Sequence, residues 1–283
     1  MASQAIARRL LPFARTAPDP APQLPWPHFP ELGRLAFPMH LSSLAGLSEY
    51  SALSNAQRWR LALYDAVLLF SRCHAIDRLI ARRLEALAER AEDETTEEYL
   101  LLLAAEKHRH AAAAARFCKD YGGRIYADHQ PRLHRSADAK VGELLLVAEI
   151  LVLEEISMWL CRQVADDSTL WPLARELCAQ RAAHQARHLA YWRAAVESAW
   201  HAAAPRADRN LIAARLRTFV DALLVIQLDV EVFMDTQLAA RHAVPIDPFV
   251  LDAAARSSPA RAALRDGATR RLRSFFQALG VSL

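Results

Sequence analysis

The sequence predicts an all-α fold built on four long helices, and three observations carry that expectation. Of 283 residues only 7 are glycine, 53% are hydrophobic and alanine is abundant, a composition that favours helix over sheet. Helix-start signals precede long apolar runs: Ser54 with Gln57, and Thr95 with Glu98, read as capping boxes. A polar half-motif also recurs, in "EKHRHAAAAARF" from Glu106 and in "HQARHLAYWRAA" from His184. Four-helix bundles build their sites from such inward-facing half-motifs on facing helices.

The elements follow in order. Residues 1–45 carry Pro18, Pro20, Pro22, Pro25, Pro27 and Pro30 and read as a Pro-rich extended arm, which leaves residues 46–283 as a single helical domain. A first helix begins near Ser54 and runs through "RWRLALYDAVLLFSRCHAIDRLIARRLEALAERA". A second starts at Thr95 and stops at Gly122-Gly123, a natural C-terminal cap. After the loop "RIYADHQPRLHRS" a third helix spans roughly residues 138–164, and a fourth starts at Pro172, a residue suited to a first turn, and reaches about 202. A fifth covers roughly 209–242, closed by Pro245 and Pro248, and a short helical tail lies near 261–278.

Composition excludes several function classes. Net charge is +3 with both signs interspersed and no basic patch, so no nucleic-acid partner is expected. The most apolar stretch, residues 141–160, contains Glu143, Glu149, Glu154 and Glu155, which argues against a membrane span. Cys73, Cys118, Cys161 and Cys178 form no CxxC pair and read as reduced, buried thiols. The N-terminus lacks an apolar run long enough for a signal peptide, so the expected compartment is cytoplasmic.

Helical geometry groups the polar residues. Positions i, i+3, i+4 and i+7 share a face, so Glu106, Lys107 and His110 point one way, as do Arg181, His184, Gln185 and His188. A carboxylate precedes each set at nearly the same distance: Asp77 lies 30 residues before Lys107 (107 − 77), and Glu154 lies 31 before Gln185 (185 − 154). Di-iron carboxylate bundles use Glu, then Glu-x-x-His, and then the same again. Here the order is Asp77, Lys107-x-x-His110, Glu154, Gln185-x-x-His188.

Over roughly residues 50–240 the chain resembles the ferritin-like di-iron oxygenases related to p-aminobenzoate N-oxygenase. "CHAID", "AAEKHRHAAAAARFCKDYGGRIY", "AEILVLEEI" and "AQRAAHQARHLAYW" carry the resemblance. It implies a ferritin-like four-helix bundle core with additional C-terminal helices. It also implies family metal positions at Asp77, Lys107, His110, Glu154, Arg181, Gln185 and His188. Of these, His110, Glu154 and His188 match in type, and Asp77 is a shorter substitute for Glu. The pattern expects Glu, His and Glu where this chain has Lys107, Arg181 and Gln185.

Charge arithmetic follows from those departures. Two divalent irons bring +4 against the family's four carboxylates, whereas here Asp77 and Glu154 bring −2 and Lys107 and Arg181 bring +2. An ammonium at a metal position also repels a cation, by roughly 4 kcal/mol per unit pair at about 4 Å and an effective dielectric of ~20. The expectation is therefore no cofactor.

Two readings of the remaining donors stay open. Asp77, Glu106, His110, Glu154, His184 and His188 supply six N/O donors suited to iron or manganese. Alternatively, Glu106 and His184 point to the bundle edge and pair with Arg109 or Arg187. His74, one turn from Asp77, and Glu155, beside Glu154, are candidate second-layer partners, and Tyr191 and Trp192 read as core. The functional expectation is a degenerate member of the family without a di-iron centre, acting as a partner, ligand-binding or regulatory protein in specialised metabolism. The alternative is an oxygenase-type oxidoreductase with an altered mononuclear or metal-free radical site. Expected partners are a second copy or an intact relative, because the fifth helix is unusually apolar, and a small molecule in the bundle core.

Overall fold

Two helical hairpins form the body of the protein in the computed structural model, which describes residues 2–17, 24–127, 136–203, 208–224, 229–238 and 247–283. Helices α3 (Asn55–Ala88) and α4 (Glu94–Phe117) make the first, and α5 (Ala139–Ala165) and α6 (Pro172–Ala203) the second. Within each hairpin the helices pack along their length, whereas α3 meets α5, and α4 meets α6, only sparsely. No strand occurs among the described residues, and none of their helices is long and apolar enough to cross a membrane.

The helix ends are set by local chemistry. Ser54 and Gln57 form the expected capping box at α3, with Gln57 Oε1 accepting from the Ser54 N–H at 2.8 Å. At α4 the expected Thr95–Glu98 box does not form. Asp93 is the cap instead, accepting from the Thr96 N–H at 3.0 Å and the Thr96 hydroxyl at 2.8 Å. Glu98 turns outward to Arg15 at 2.6 Å. After α4 a π-turn, Cys118–Gly122, leads to Gly123 at φ +70°, the left-handed conformation that glycine adopts without strain. A Cβ at Gly122 would lie 2.6 Å from Val67 Cγ1, so the smallest residue is what lets this turn close against α3. Asp138 caps α5 through the N–H groups of Lys140 and Val141.

The N-terminal arm is corrected. Residues Ala2–Arg15 form a helix, α1, that packs on both α4 and α6, and a short helix, α2 (Ser48–Ala52), precedes α3. Ala7, Leu10, Leu11 and Ala14, spaced i, i+3, i+4 and i+7, are buried, so α1 covers the seam between the two hairpins on that side. Pro18, Pro20 and Pro22 lie outside the described residues, as does most of the 124–136 loop.

The expected fifth helix is also corrected. Helix α7 (Arg209–Leu224) is followed by a separate short helix, α8 (Val230–Asp235), whose cap is Asp229. The end expected near 242 lies outside the described residues. Pro248 does not end a helix but opens one, α9 (Pro248–Ser257), behind the Asp247 cap. Helix α10 (Pro259–Ala278) then returns to α5, where α7 also packs, so these two cover the opposite seam. Buried Arg261 ties α10 to the 42–43 loop, donating to the Ser42 carbonyl at 2.8 Å.

If α1 is part of the core, Leu11→Ala should lower unfolding free energy by about 2–5 kcal/mol, the range for removing a buried leucine side chain. Urea unfolding of the full chain checks this, and a change within error would mean that α1 does not dock.

Candidate functional site

Between the hairpins lies a buried polar layer. Lys107 and His110 reach it from α4, Asp77 from α3, Glu154 from α5, and Arg181, Gln185 and His188 from α6; all are buried. The Lys107 ammonium has no exposed surface and sits between two carboxylates, 2.5 Å from Glu154 Oε1 and 3.4 Å from Asp77 Oδ1. Glu154 Oε2 accepts from the Gln185 amide at 2.8 Å. Asp77 Oδ2 accepts from Arg181, whose other terminal nitrogen donates to Ser157 Oγ at 3.1 Å. The acids of α3 and α5 are thus held by an ammonium, a guanidinium and an amide.

A second set of contacts surrounds Glu106, itself 1% exposed. His188 Nε2 lies 2.7 Å from Glu106 Oε2, and Arg187 donates to Glu106 Oε1 at 2.7 Å. The other ring nitrogen of His188 is 3.7 Å from Glu154 Oε1. His110 Nε2 and His184 Nδ1 are 3.0 Å apart, with the two rings stacked. Arg187 therefore does pair with Glu106, as one of the open readings held, but Glu106 faces inward rather than toward the bundle edge. The six-donor set does not gather on one point, and among the described residues no three His, Cys, Asp or Glu side chains form a metal-binding group.

Electrostatics follow the geometry. Burial alone would raise Glu154, but Lys107 and His188 outweigh it and hold the carboxyl well below the usual carboxylate range. Burial opposes ionisation of Glu106 too, and His188 and Arg187 overcome it. Desolvation lowers His110 strongly, and Arg181 and Lys107 lower it further. His184 is lowered chiefly by burial. The two imidazoles are thus neutral at neutral pH, and at their contact one ring donates its N–H to the bare nitrogen of the other. Arg181 resists the cost of its burial because Asp77 lies against it.

Other expected positions fall elsewhere. His74 does not orient Asp77; its Nδ1 pairs with the Ala111 carbonyl at 2.9 Å. Glu154, not Glu155, faces the layer, and Glu155 is held by Arg193. Tyr191 and Trp192 are buried in the core. Ser157, the partner of Arg181, went unnoticed in the sequence, although its i+3 offset from Glu154 places it on the same face of α5.

On the α3/α5 side the hairpins part around a cavity of about 90 Å³, walled by Leu69, Ile76, Ile156 and Ser157 and covered by Leu223 and Leu264. Cys73 also lines it; a hydrogen bond with Cys161 and burial push that thiol up, so it stays protonated.

These residues do not fit a pair of irons. Such a pair needs carboxylates free to coordinate, and both acids facing the centre are occupied by Lys107, Arg181 and Gln185.

A family model described as P-aminobenzoate N-oxygenase AurF matches residues 2–280, which include α1 and the C-terminal helices. No curated protein and no solved structure matches the chain.

Removing the Lys107 head should leave the buried Glu154 carboxylate without its ammonium, since Asp77 keeps Arg181. Lys107→Ala is expected to cost roughly 3–5 kcal/mol, seen as a markedly lower melting temperature. Acid should also destabilise the unmodified protein in two stages. His110 and His184, held below their usual 6.5, make the unfolded chain bind more protons as pH falls from about 6.5. Glu106 and Glu154, held below 4.5, stabilise the fold above that value and lose their contribution below it. Urea titrations between pH 8 and 3 should show stability declining as pH falls from about 6.5 and falling further below 4.5; flat stability from pH 6.5 to 4 would contradict the histidine assignment.

Proposed function

The chain belongs to the P-aminobenzoate N-oxygenase AurF family, and from that premise we propose that it is a metal-free member, kept as a ligand-binding or regulatory partner in specialised metabolism. One observation carries this reading: the Lys107 ammonium lies between the two carboxylates that remain, within 2.5 Å of one and 3.4 Å of the other. A divalent ion there would have to displace a buried cation of this chain's own and strip Arg181 and Gln185 from their acids. The cavity beside Ser157 supports retention of a small-molecule site after the metal chemistry is gone.

The partner we propose is a second copy or an intact relative, and the compartment is the cytoplasm. The C-terminal helices, which are separate and not one long apolar helix, support the partner: Met234, Phe249 and Val250 there are 58%, 76% and 63% exposed. Sedimentation at micromolar concentration should show a dimer; a monomer that recovers no relative in a pull-down would count against it.

Metal analysis of protein purified from iron- and manganese-supplemented cells tests the central claim. The expected content is far below one metal per chain. The triple change Lys107→Glu, Arg181→His, Gln185→Glu should make stability depend on added iron, by about 2.7 kcal/mol when iron is 100-fold above its Kd. Stoichiometric iron or manganese in the unmodified protein would replace this reading with that of an oxidoreductase with an altered site.

A further inference from the structure

We propose that Ser157 makes the inner end of the α3/α5 cavity selective for a small apolar molecule bearing an uncharged hydrogen-bond acceptor, such as a carbonyl oxygen. The inference rests on the metal-free reading in one respect: Arg181 is free to polarise Ser157 because Asp77 and Arg181 hold each other.

Ser157 is 4% exposed, and it lies in the cavity wall. Its oxygen accepts from Arg181 at 3.1 Å, and among the described residues no acceptor takes its hydroxyl proton. Ser71 shows the usual alternative for a buried helical serine, donating to the Val67 carbonyl one turn back at 2.7 Å. Ser157 makes no such bond, so its proton is available to a guest. The guanidinium behind the oxygen strengthens it as a donor, because successive hydrogen bonds polarise one another. The same positive group opposes a guest cation at this end.

Size and polarity set the rest of the molecule. A cavity of about 90 Å³ is smaller than the ~150 Å³ that accepts benzene, so the guest is smaller than a benzene ring. Leu69, Ile76, Leu153, Ile156, Leu160 and Leu223 make the wall apolar. Asp65, Arg72 and Arg265 also line the cavity, and Asp65 is already bonded to the Ser42 hydroxyl and the Ser43 N–H.

Cyclobutanone and methylenecyclobutane have the same shape, are smaller than benzene and differ by oxygen against a CH₂ group. Ligand-observed NMR on the full chain should show cyclobutanone binding about tenfold more tightly, the worth of one hydrogen bond made by a buried donor. Ser157→Ala should erase that advantage and leave methylenecyclobutane unchanged, and Ser157→Thr should keep it. Ala268→Phe, which fills the cavity, should weaken both. If Ser157→Ala does not fold, the ratio in the unmodified protein and the behaviour of the other two variants still decide. Equal binding of the two probes, no binding of either, an advantage that survives Ser157→Ala, or tighter binding of cyclobutylamine or cyclobutanecarboxylate would each overturn the proposal. Metal content measured on the same sample separates the two readings. A metal-free protein with no preference sinks this inference alone, and an iron-loaded one that keeps the preference sinks only the metal-free reading.

Discussion

The rest of the structure depends on one interaction, the Lys107 ammonium held between Glu154 and Asp77. Neither charge sign survives alone in this layer. A buried carboxylate without a partner loses its hydration and recovers nothing, and a buried ammonium is no better off. The sequence of contacts across the bundle is Arg187, Glu106, His188, Glu154, Lys107, Asp77, Arg181 and Ser157. Acidic and basic groups alternate along it, with His188 between two acids. Three acids (Asp77, Glu106, Glu154) face three Lys and Arg side chains (Lys107, Arg181, Arg187). The layer links the hairpins together with the apolar core that spans all four helices and ring pairs such as Tyr99 with Tyr191 at 5.3 Å. Helix α1 covers one seam and α7 and α10 cover the other, and that cover keeps water away from the charges. Burial and charge pairing are therefore one constraint: remove the covers and the pairs are screened, remove a pair and the covers enclose an uncompensated ion.

Much of this was legible in the sequence because it rests on local rules. The Ser54–Gln57 box, the Gly122-Gly123 stop and the Pro172 start follow from backbone hydrogen bonding within a turn. The near-equal spacings from Asp77 to Lys107 and from Glu154 to Gln185 place the polar residues at one level because both hairpins turn back after similar lengths. Helix α1 was obscured by the prolines after it, although Ala7, Leu10, Leu11 and Ala14 carry a helical spacing. Pro248 was ambiguous in principle: proline neither continues a helix nor fails to start one, and only the Asp247 cap decides.

The misses at the site have a different cause. Glu106 and His74 stand on helix faces that a periodicity argument leaves half inside, and which way such a residue turns depends on a partner from another helix. Glu106 turns in because His188 and Arg187 both reach it from α6. His74 finds the Ala111 carbonyl before it finds Asp77, which Arg181 already occupies. Pairings of this kind are set by three-dimensional competition for lone pairs, and no single-chain spacing encodes them.

The substitutions at 107, 181 and 185 make physical sense only together. Lys107 alone would oppose two acids and leave the oxygens of Asp77 and Glu154 that face away from it bare. Arg181 takes the far oxygen of Asp77, and Gln185 takes the far oxygen of Glu154 without adding a charge. A glutamate at 185 would instead set a third carboxylate against Glu154, with Lys107 already engaged. The cations that fill the layer come from the chain itself, so its charge balance needs nothing bound from outside. The guanidinium that completes this balance also contacts Ser157, and through it the layer reaches the wall of the apolar cavity. The place where charge neutrality is achieved is thus the place where the interior presents a polar hydrogen to a guest.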